Sequence, residues 1–340
     1  MSTTPGSRRR WIIGGAVVAV AAGLVLAPLV LSPVDVPPDL PGPTTPTTAA
    51  AAPAAAPTEC GRRSPDNFLA SLRPTGPATP DVASGSYMEA IKQRGRLRVG
   101  VSPTTRLFSS VDPVNGMFEG FDDDIAREVA NALFGNPDQI EFVAIPQTDR
   151  ITRLTTTDPG QQVDMVASTF TINCTRLQEI EFSTEYYTSG QRVLVPEEDG
   201  RTLDQLGADD ARVCAASGST SLDVMRNLPD PPEVVPAASH TECLALLQEG
   251  EIDAVSTDDT ILAGMVEQDP NVKIVGDALT VEHYGLGLPP GHDDWVRYVN
   301  AVLESVRPAR WAQIYDAHLL DALHDINPST PAPPSPAYSD

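Results

Sequence analysis

Ser168, Thr169 and Thr171 are followed, five residues after the last of them, by Arg176. Hydroxyls and backbone N–H groups at a strand-to-helix turn, with a guanidinium beside them, form a socket for a carboxylate. Met165, Val166 and Ala167 make the short apolar run of a buried strand, and Arg176 stands at the start of the helix predicted to follow. The same spacing also fits an ordinary helix start with a solvated Arg.

Other chemistries leave no such pattern. Nucleophile motifs such as G-x-S-x-G and Gly-rich phosphate loops are absent. The cysteines, Cys60, Cys174, Cys214 and Cys243, contain no C-x-x-C, and no His sits at zinc-ligand spacing. No metal and no cofactor is expected. An even number of cysteines in an exported chain points to disulfides, and four allow three pairings. Cys214 ends a strand-like Ala-Arg-Val-Cys and Cys243 lies in the next helix but one, which favours Cys214 with Cys243 and leaves Cys60 with Cys174. The formal net charge of −23 argues against nucleic acid and against adsorption to anionic lipid.

The elements around the socket alternate. Residues 87–94 read as a helix with Ser86 as N-cap and Gly95 as its end. A strand over 96–101, a turn or short strand over 117–120, an amphipathic helix over 122–133, a strand over 139–145, a helix over 149–156 and a strand over 163–167 follow. That βαβαβ order implies a parallel sheet covered by helices. A second run has strands at 191–195, 211–215, 233–236, 252–255, 273–275 and 284–288, with helices at 218–228, 241–248 and 260–267 and a helix pair over 295–323. Two α/β lobes are expected, 88–195 plus 282–327 and 196–281, the second inserted into the first so that two crossovers join them. A cleft between such lobes, at strand C-termini, is where a small ligand binds.

Ahead of the lobes, Arg8, Arg9 and Arg10 in a basic segment 1–10 precede an uncharged apolar run over 11–31. At 1.5 Å per residue the run is long enough to span a bilayer, and the Arg cluster predicts a cytoplasmic N-terminus. The alternative is a cleaved secretory signal. Residues 32–80, Pro-, Ala- and Thr-rich at their start, read as a linker, and 328–340, with five prolines, as a disordered tail.

Taken in order, several segments resemble the extracytoplasmic solute-binding proteins of polar amino-acid ABC transporters. They are Gly95-Arg96-Leu97-Arg98-Val99-Gly100-Val101, Glu119-Gly120-Phe121-Asp122, Val163-Asp164-Met165-Val166-Ala167, Thr175-Arg176, Ile180-Glu181-Phe182-Ser183, Gly218-Ser219-Thr220 and Gly250-Glu251-Ile252-Asp253-Ala254-Val255. Cys214 with Cys243, and the run 256–264, are most similar to the actinobacterial glutamate/glutamine-type binding proteins. The resemblance implies a two-lobe periplasmic-binding-protein-like α/β fold that closes on an amino acid by hinge bending.

Carried over by that resemblance, Arg176 would grip the ligand α-carboxylate, with Thr171 and Thr220 as further donors. The Thr169 carbonyl and the Asp258 carboxylate would receive the α-ammonium. Asp258 has a plainer alternative as N-cap of the helix beginning at Thr260, which Asp259 could equally provide. Phe108 would lie against the ligand's aliphatic part. Arg150 would reach a side-chain carboxylate, and His240 contacts an acidic side chain in some members; the alternative for His240 is a solvated or capping residue. Arg106 is a further cation near the cleft mouth, with a solvated face as the alternative. Together these favour glutamate or aspartate, with glutamine also possible, because an amide needs an acceptor as well as donors and Arg offers only donors.

The implied partners are an amino acid and an ABC permease or a membrane signalling protein, at the extracytoplasmic face of the cell membrane. The expectation is a binding protein and not an enzyme. The rival is an enzyme on the same scaffold, such as a cyclohexadienyl-type dehydratase, for which Glu185 is the candidate general acid.

Overall fold

A computed structural model of the chain describes residues 59–324, 326 and 332–339. The basic segment 1–10, the apolar run 11–31 and the linker up to residue 58 lie outside the described residues. Among the described residues no helix is long and apolar enough to cross a membrane.

Lobe one forms around the strand Leu97–Val101. Leu97, Val99 and Val101 alternate inward and are fully buried, each contributing about 1.5–3 kcal/mol by leaving water. The helix before it, Tyr87–Arg94, starts where Ser86 accepts from the Glu89 N–H and stops at left-handed Gly95. In the sheet, Ile140–Ala144, Leu97–Val101 and Met165–Val166 run parallel, and Gly287–Leu288 and Glu181–Phe182 complete it antiparallel. The helix Phe121–Phe134 lays Phe121, Ile125, Val129 and Leu133 on the core at helical spacing. Asp293–Val306 and Arg310–His318 join the same core.

Lobe two has its own five-stranded sheet: Glu233–Ala237, Arg212–Ala216, Ala254–Asp258, Gln191–Pro196 and Val272–Val275. The boundary expected at 195/196 is therefore corrected. The strand Gln191–Pro196 belongs to lobe two, pairing antiparallel with Ala254–Asp258 and with Val272–Val275. Val193, Leu194 and Val195 are buried against that lobe's helices, and an apolar run of this kind carries no mark of which sheet will take it. The capped helix Leu203–Ala208, where Thr202 and Gln205 form a capping box, was not expected. The strand expected over 284–288 is two pieces, Glu282–Tyr284 and Gly287–Leu288.

Two antiparallel crossover strands join the lobes. Tyr187, Thr188 and Ser189 pair with Tyr284, His283 and Glu282. Disulfides link Cys60 with Cys174 and Cys214 with Cys243.

Both terminal segments are more engaged than their composition suggested. From Glu59 onward the chain assigned to the linker packs on lobe one: Arg63 donates to the carbonyls of Phe68 and Phe182, and Ser71–Leu72 forms a strand. The tail expected to be disordered supplies that strand's partner, Ser71 and Leu72 pairing in parallel with Tyr338 and Ser339. Arg307 donates to the Pro334 carbonyl and Tyr338 to Glu304. The prolines lie before Tyr338 and Ser339, so these two residues keep N–H groups for pairing.

Candidate ligand-binding site

The turn after Met165–Val166 is held in an unusual shape. Thr169 has a φ of +40°, and its N–H donates to Asp122 Oδ2 at 2.8 Å. Asp122, fully buried near the start of its helix, also accepts from Tyr186 Oη at 2.5 Å. Burial pushes its carboxyl up to about 7, against the pull of these two bonds. Further on, Asn173 caps the helix Cys174–Leu177 and accepts from the Arg176 N–H at 2.9 Å. That cap turns the Arg176 guanidinium back across the turn, where it donates to the Thr171 carbonyl at 2.6 Å.

Arg150 opens the helix Arg150–Thr155 and points at the same place. Its guanidinium donates to the carbonyls of Gln147 at 3.1 Å, Ser168 at 3.1 Å and Gly218 at 2.9 Å. The last acceptor lies on lobe two, and Arg176 donates to it as well, at 3.2 Å. Both guanidinium carbons stand over the Phe170 ring, at 4.3 Å for Arg150 and 4.6 Å for Arg176. Burial lowers the Arg176 pKa to about 10, opposed by Glu282 and Asp258. Burial also lowers Arg150, and the Arg176 charge beside it lowers it further.

Lobe two answers with hydroxyls and a carboxylate. Ser219 caps the helix Thr220–Arg226, and Gly218 before it takes a φ of +78°. A Cβ on Gly218 would stand 3.1 Å from Thr148 Cα of lobe one, so the absence of a side chain lets the lobes approach. Asp258 ends the strand Ala254–Asp258 at the N-cap position of Asp259–Val266, yet its side chain makes no capping bond. It accepts from Tyr284 Oη on the crossover strand and, at 3.5 Å, from Ser221 Oγ. Burial and then the Glu282 charge push its carboxyl up to about 7. His240 is buried, its Nδ1 3.2 Å from Gln147 Nε2 and its Nε2 3.2 Å from Thr257 Oγ1. Burial, with Arg150 nearby, pushes its pKa down to about 3, so the ring is neutral.

Arg150, Thr169, Thr171, Arg176, Thr220, Asp258 and His240 thus line one small cavity between the lobes. Gln147, Ser219, Ser221, Thr257 and Ile261 line it too and were not anticipated. Phe108, expected against the ligand's aliphatic part, is not among the lining residues. It is fully buried in lobe one against Phe121, Tyr187 and Tyr284 at centroid distances of 5.5, 5.2 and 5.9 Å. Its aromatic neighbours draw it into the core, and Ile261 is the apolar wall of the cavity instead. Arg106 is not simply solvated, for it pairs with Glu267 of lobe two at 2.7 Å across the cleft mouth. Glu185 lies outside the cavity lining and is engaged by His283 at 2.8 Å and Thr188 at 2.5 Å.

One further residue, outside that lining, also escaped sequence reasoning. Glu282, on the crossover strand and 3% exposed, accepts from Thr171 Oγ1 at 2.7 Å, Thr220 Oγ1 at 2.9 Å and Thr280 Oγ1 at 2.6 Å. A single Glu in a short polar strand gives no periodic signal; only the hinge pairing brings it to the cleft.

Two α/β lobes joined by two crossover strands, with a small charged cavity between them, define a hinged ligand-binding protein. The sequence profile of the bacterial extracellular solute-binding proteins, family 3, matches residues 97–321, and the chain belongs to that family. It is 31% identical over 230 residues to the ABC transporter glutamine-binding protein GlnH of Bacillus subtilis, covering 67% of this chain and 82% of that protein. It is 29% identical over 240 residues to the glutamate-binding protein GluB of Corynebacterium glutamicum, covering 67% and 79%. In fold it is similar to the solute receptor for L-cysteine of Neisseria gonorrhoeae, with a TM-score of 0.67 at 24% identity, covering 73% of this chain and 99% of that one. Family members are binding proteins, and their place is extracytoplasmic.

Proposed function

We propose that this protein binds a free amino acid with an acidic side chain, glutamate or aspartate, and presents it to an ABC permease or a membrane sensing partner. The observation that carries the reading is the pair of guanidiniums, Arg150 and Arg176, facing one small interlobe cavity opposite Asp258. Arg176 takes the α-carboxylate, a charged hydrogen bond of about 1.5–3 kcal/mol. The Thr171 and Thr220 hydroxyls add donors to the same group. Asp258 and the Thr169 carbonyl take the α-ammonium. Arg150, with N–H groups beyond the three committed to carbonyls, takes the side-chain carboxylate. His240, neutral and bonded at both ring nitrogens, shapes the wall beside it.

The glutamine- and glutamate-binding relatives support an amino acid of this size. Glutamine is the competing ligand, and the Gln147 and Thr257 side chains at the wall are the groups that would serve an amide. Delivery to a permease follows from the family, and a sensing partner would suit residues 11–31 if they hold the protein at the membrane.

Calorimetric titration of the full chain with the twenty amino acids tests the reading. Saturable binding of glutamate or aspartate, weakened by Arg176→Ala and by Arg150→Ala, is expected. Binding of neutral or basic amino acids alone would sink the Arg150 role.

A further inference from the structure

We propose that the Glu282 carboxylate is an internal rival of the ligand, seated on the two hydroxyls that straddle the cleft. The inference rests on the reading that Thr171 and Thr220 serve the ligand α-carboxylate.

Glu282 Oε2 accepts from Thr171 Oγ1 of lobe one at 2.7 Å and from Thr220 Oγ1 of lobe two at 2.9 Å. A hydroxyl has one proton to donate. Both protons are therefore committed to Glu282, and an incoming carboxylate receives them only when Glu282 lets go. Glu282 also acts on the neighbours a ligand carboxylate would act on. Its charge opposes the burial that lowers Arg176 and adds to the burial that raises Asp258. Its position suits release, for Glu282 sits on the crossover strand, paired in register with Ser189, rather than inside either sheet. Thr280 Oγ1 holds Oε1 at 2.6 Å from the same strand's approach, so the carboxylate keeps one anchor after giving up the cleft pair.

One acceptor shared between the lobes does two things. It fastens Thr171 to Thr220 across the hinge, and it subtracts from ligand affinity the cost of breaking that fastening. Removing the carboxylate frees both hydroxyls.

The test is calorimetry of the full chain with glutamate and with glutamine, for Glu282→Ala, for the isosteric Glu282→Gln and for Thr171→Val in each background. Glu282→Ala is expected to lower the Kd about tenfold, one charged hydrogen bond's worth. Glu282→Gln keeps an acceptor oxygen, fills the same space and is expected to give a smaller gain in the same direction. Thr171→Val is expected to weaken binding more in the Glu282→Ala background than in the parent, because in the parent it removes a rival's anchor along with a ligand donor. Unchanged or weaker binding by both Glu282 variants, with Thr171→Val still harmful, overturns the rivalry alone. Thr171→Val without effect in either background overturns the carboxylate subsite and the rivalry with it.

Discussion

Arg150 and Arg176 share one acceptor: the Gly218 carbonyl of the opposite lobe receives an N–H from each, at 2.9 and 3.2 Å. Carbonyl dipoles orient two like charges without neutralising them, and burial sharpens the demand for an anion between them. Arg176→Ala is expected to weaken binding of every amino-acid ligand by about 1.5–3 kcal/mol, one to two orders of magnitude. Arg150→Gln is expected to weaken glutamate more than glutamine. Paired titrations with the two ligands read the difference, and equal losses would remove Arg150 from side-chain recognition.

Gly218→Ala is expected to hinder closure without unfolding either lobe. The new methyl meets Thr148 of lobe one at about the distance of a tight contact, and φ of +78° disfavours any side chain. The left-handed conformation alone costs about 1–2 kcal/mol. Ligand affinity should fall about tenfold or more, and small-angle scattering of the ligand-bound variant should show a larger radius of gyration than the parent. A variant that binds and compacts like the parent would show that Gly218 is not needed for the approach.

Buried aspartates set a pH dependence of stability. Burial pushes Asp123 up to about 8 from an ordinary 3.8, and among the described residues its Oδ2 has no hydrogen-bond partner. Asp122 and Asp258 are pushed to about 7. Between the unfolded and folded values the native protein holds the proton that the unfolded chain has lost, so stability falls as pH rises through that window. His240 acts in the opposite sense, from its folded value of about 3 to its ordinary 6.5, and contributes nothing above it. From pH 6.5 to 8 the aspartates remain, and His283, raised above its ordinary 6.5 by its hydrogen bond to Glu185, acts in the same sense, so Tm is expected to decline. Asp123→Asn should flatten the decline and raise Tm at pH 8. A Tm that climbs over this range, or a variant with the parent's slope, would refute the assignment.

The strap that begins at Cys60 depends on its disulfide to Cys174. Replacing both cysteines with Ala is expected to cost about 2–5 kcal/mol. Hydrogen exchange should quicken first in residues 60–72 and in the short helix Cys174–Leu177. The lobe-two pair Cys214–Cys243 is remote from that strap, and its removal should leave exchange there unchanged.

Long periodic elements could be read from the chain because the cues for one element sit inside it. The helix Phe121–Phe134 announces itself by Ile125, Val129 and Leu133 and by the Gly135 stop, and Tyr87–Arg94 by Ser86 and Gly95. Arg176 and Thr171 were legible for the same reason, since their relation is local. The disulfide partners were legible too, but several other assignments that depend on a partner distant in sequence were missed. Val193-Leu194-Val195 is equally apolar for either sheet, so the lobe it joins was misplaced. Tyr338 and Ser339 become a strand only because Ser71 and Leu72 are there. Phe108 was expected at the cavity and went to the core, where Tyr187 and Tyr284 converge from both crossover strands. Glu282 means nothing until the hinge sets it between two threonines from different lobes.

The clasp of Ser71–Leu72 with Tyr338–Ser339, the Cys60–Cys174 bond and the pairing of Arg62 with Glu181 and Asp293 all fall on lobe one. The first and last described segments are therefore both fastened to lobe one and not to lobe two. Lobe one thus carries both ends of the described chain, and a displacement of lobe two relative to it requires none of these fastenings to break.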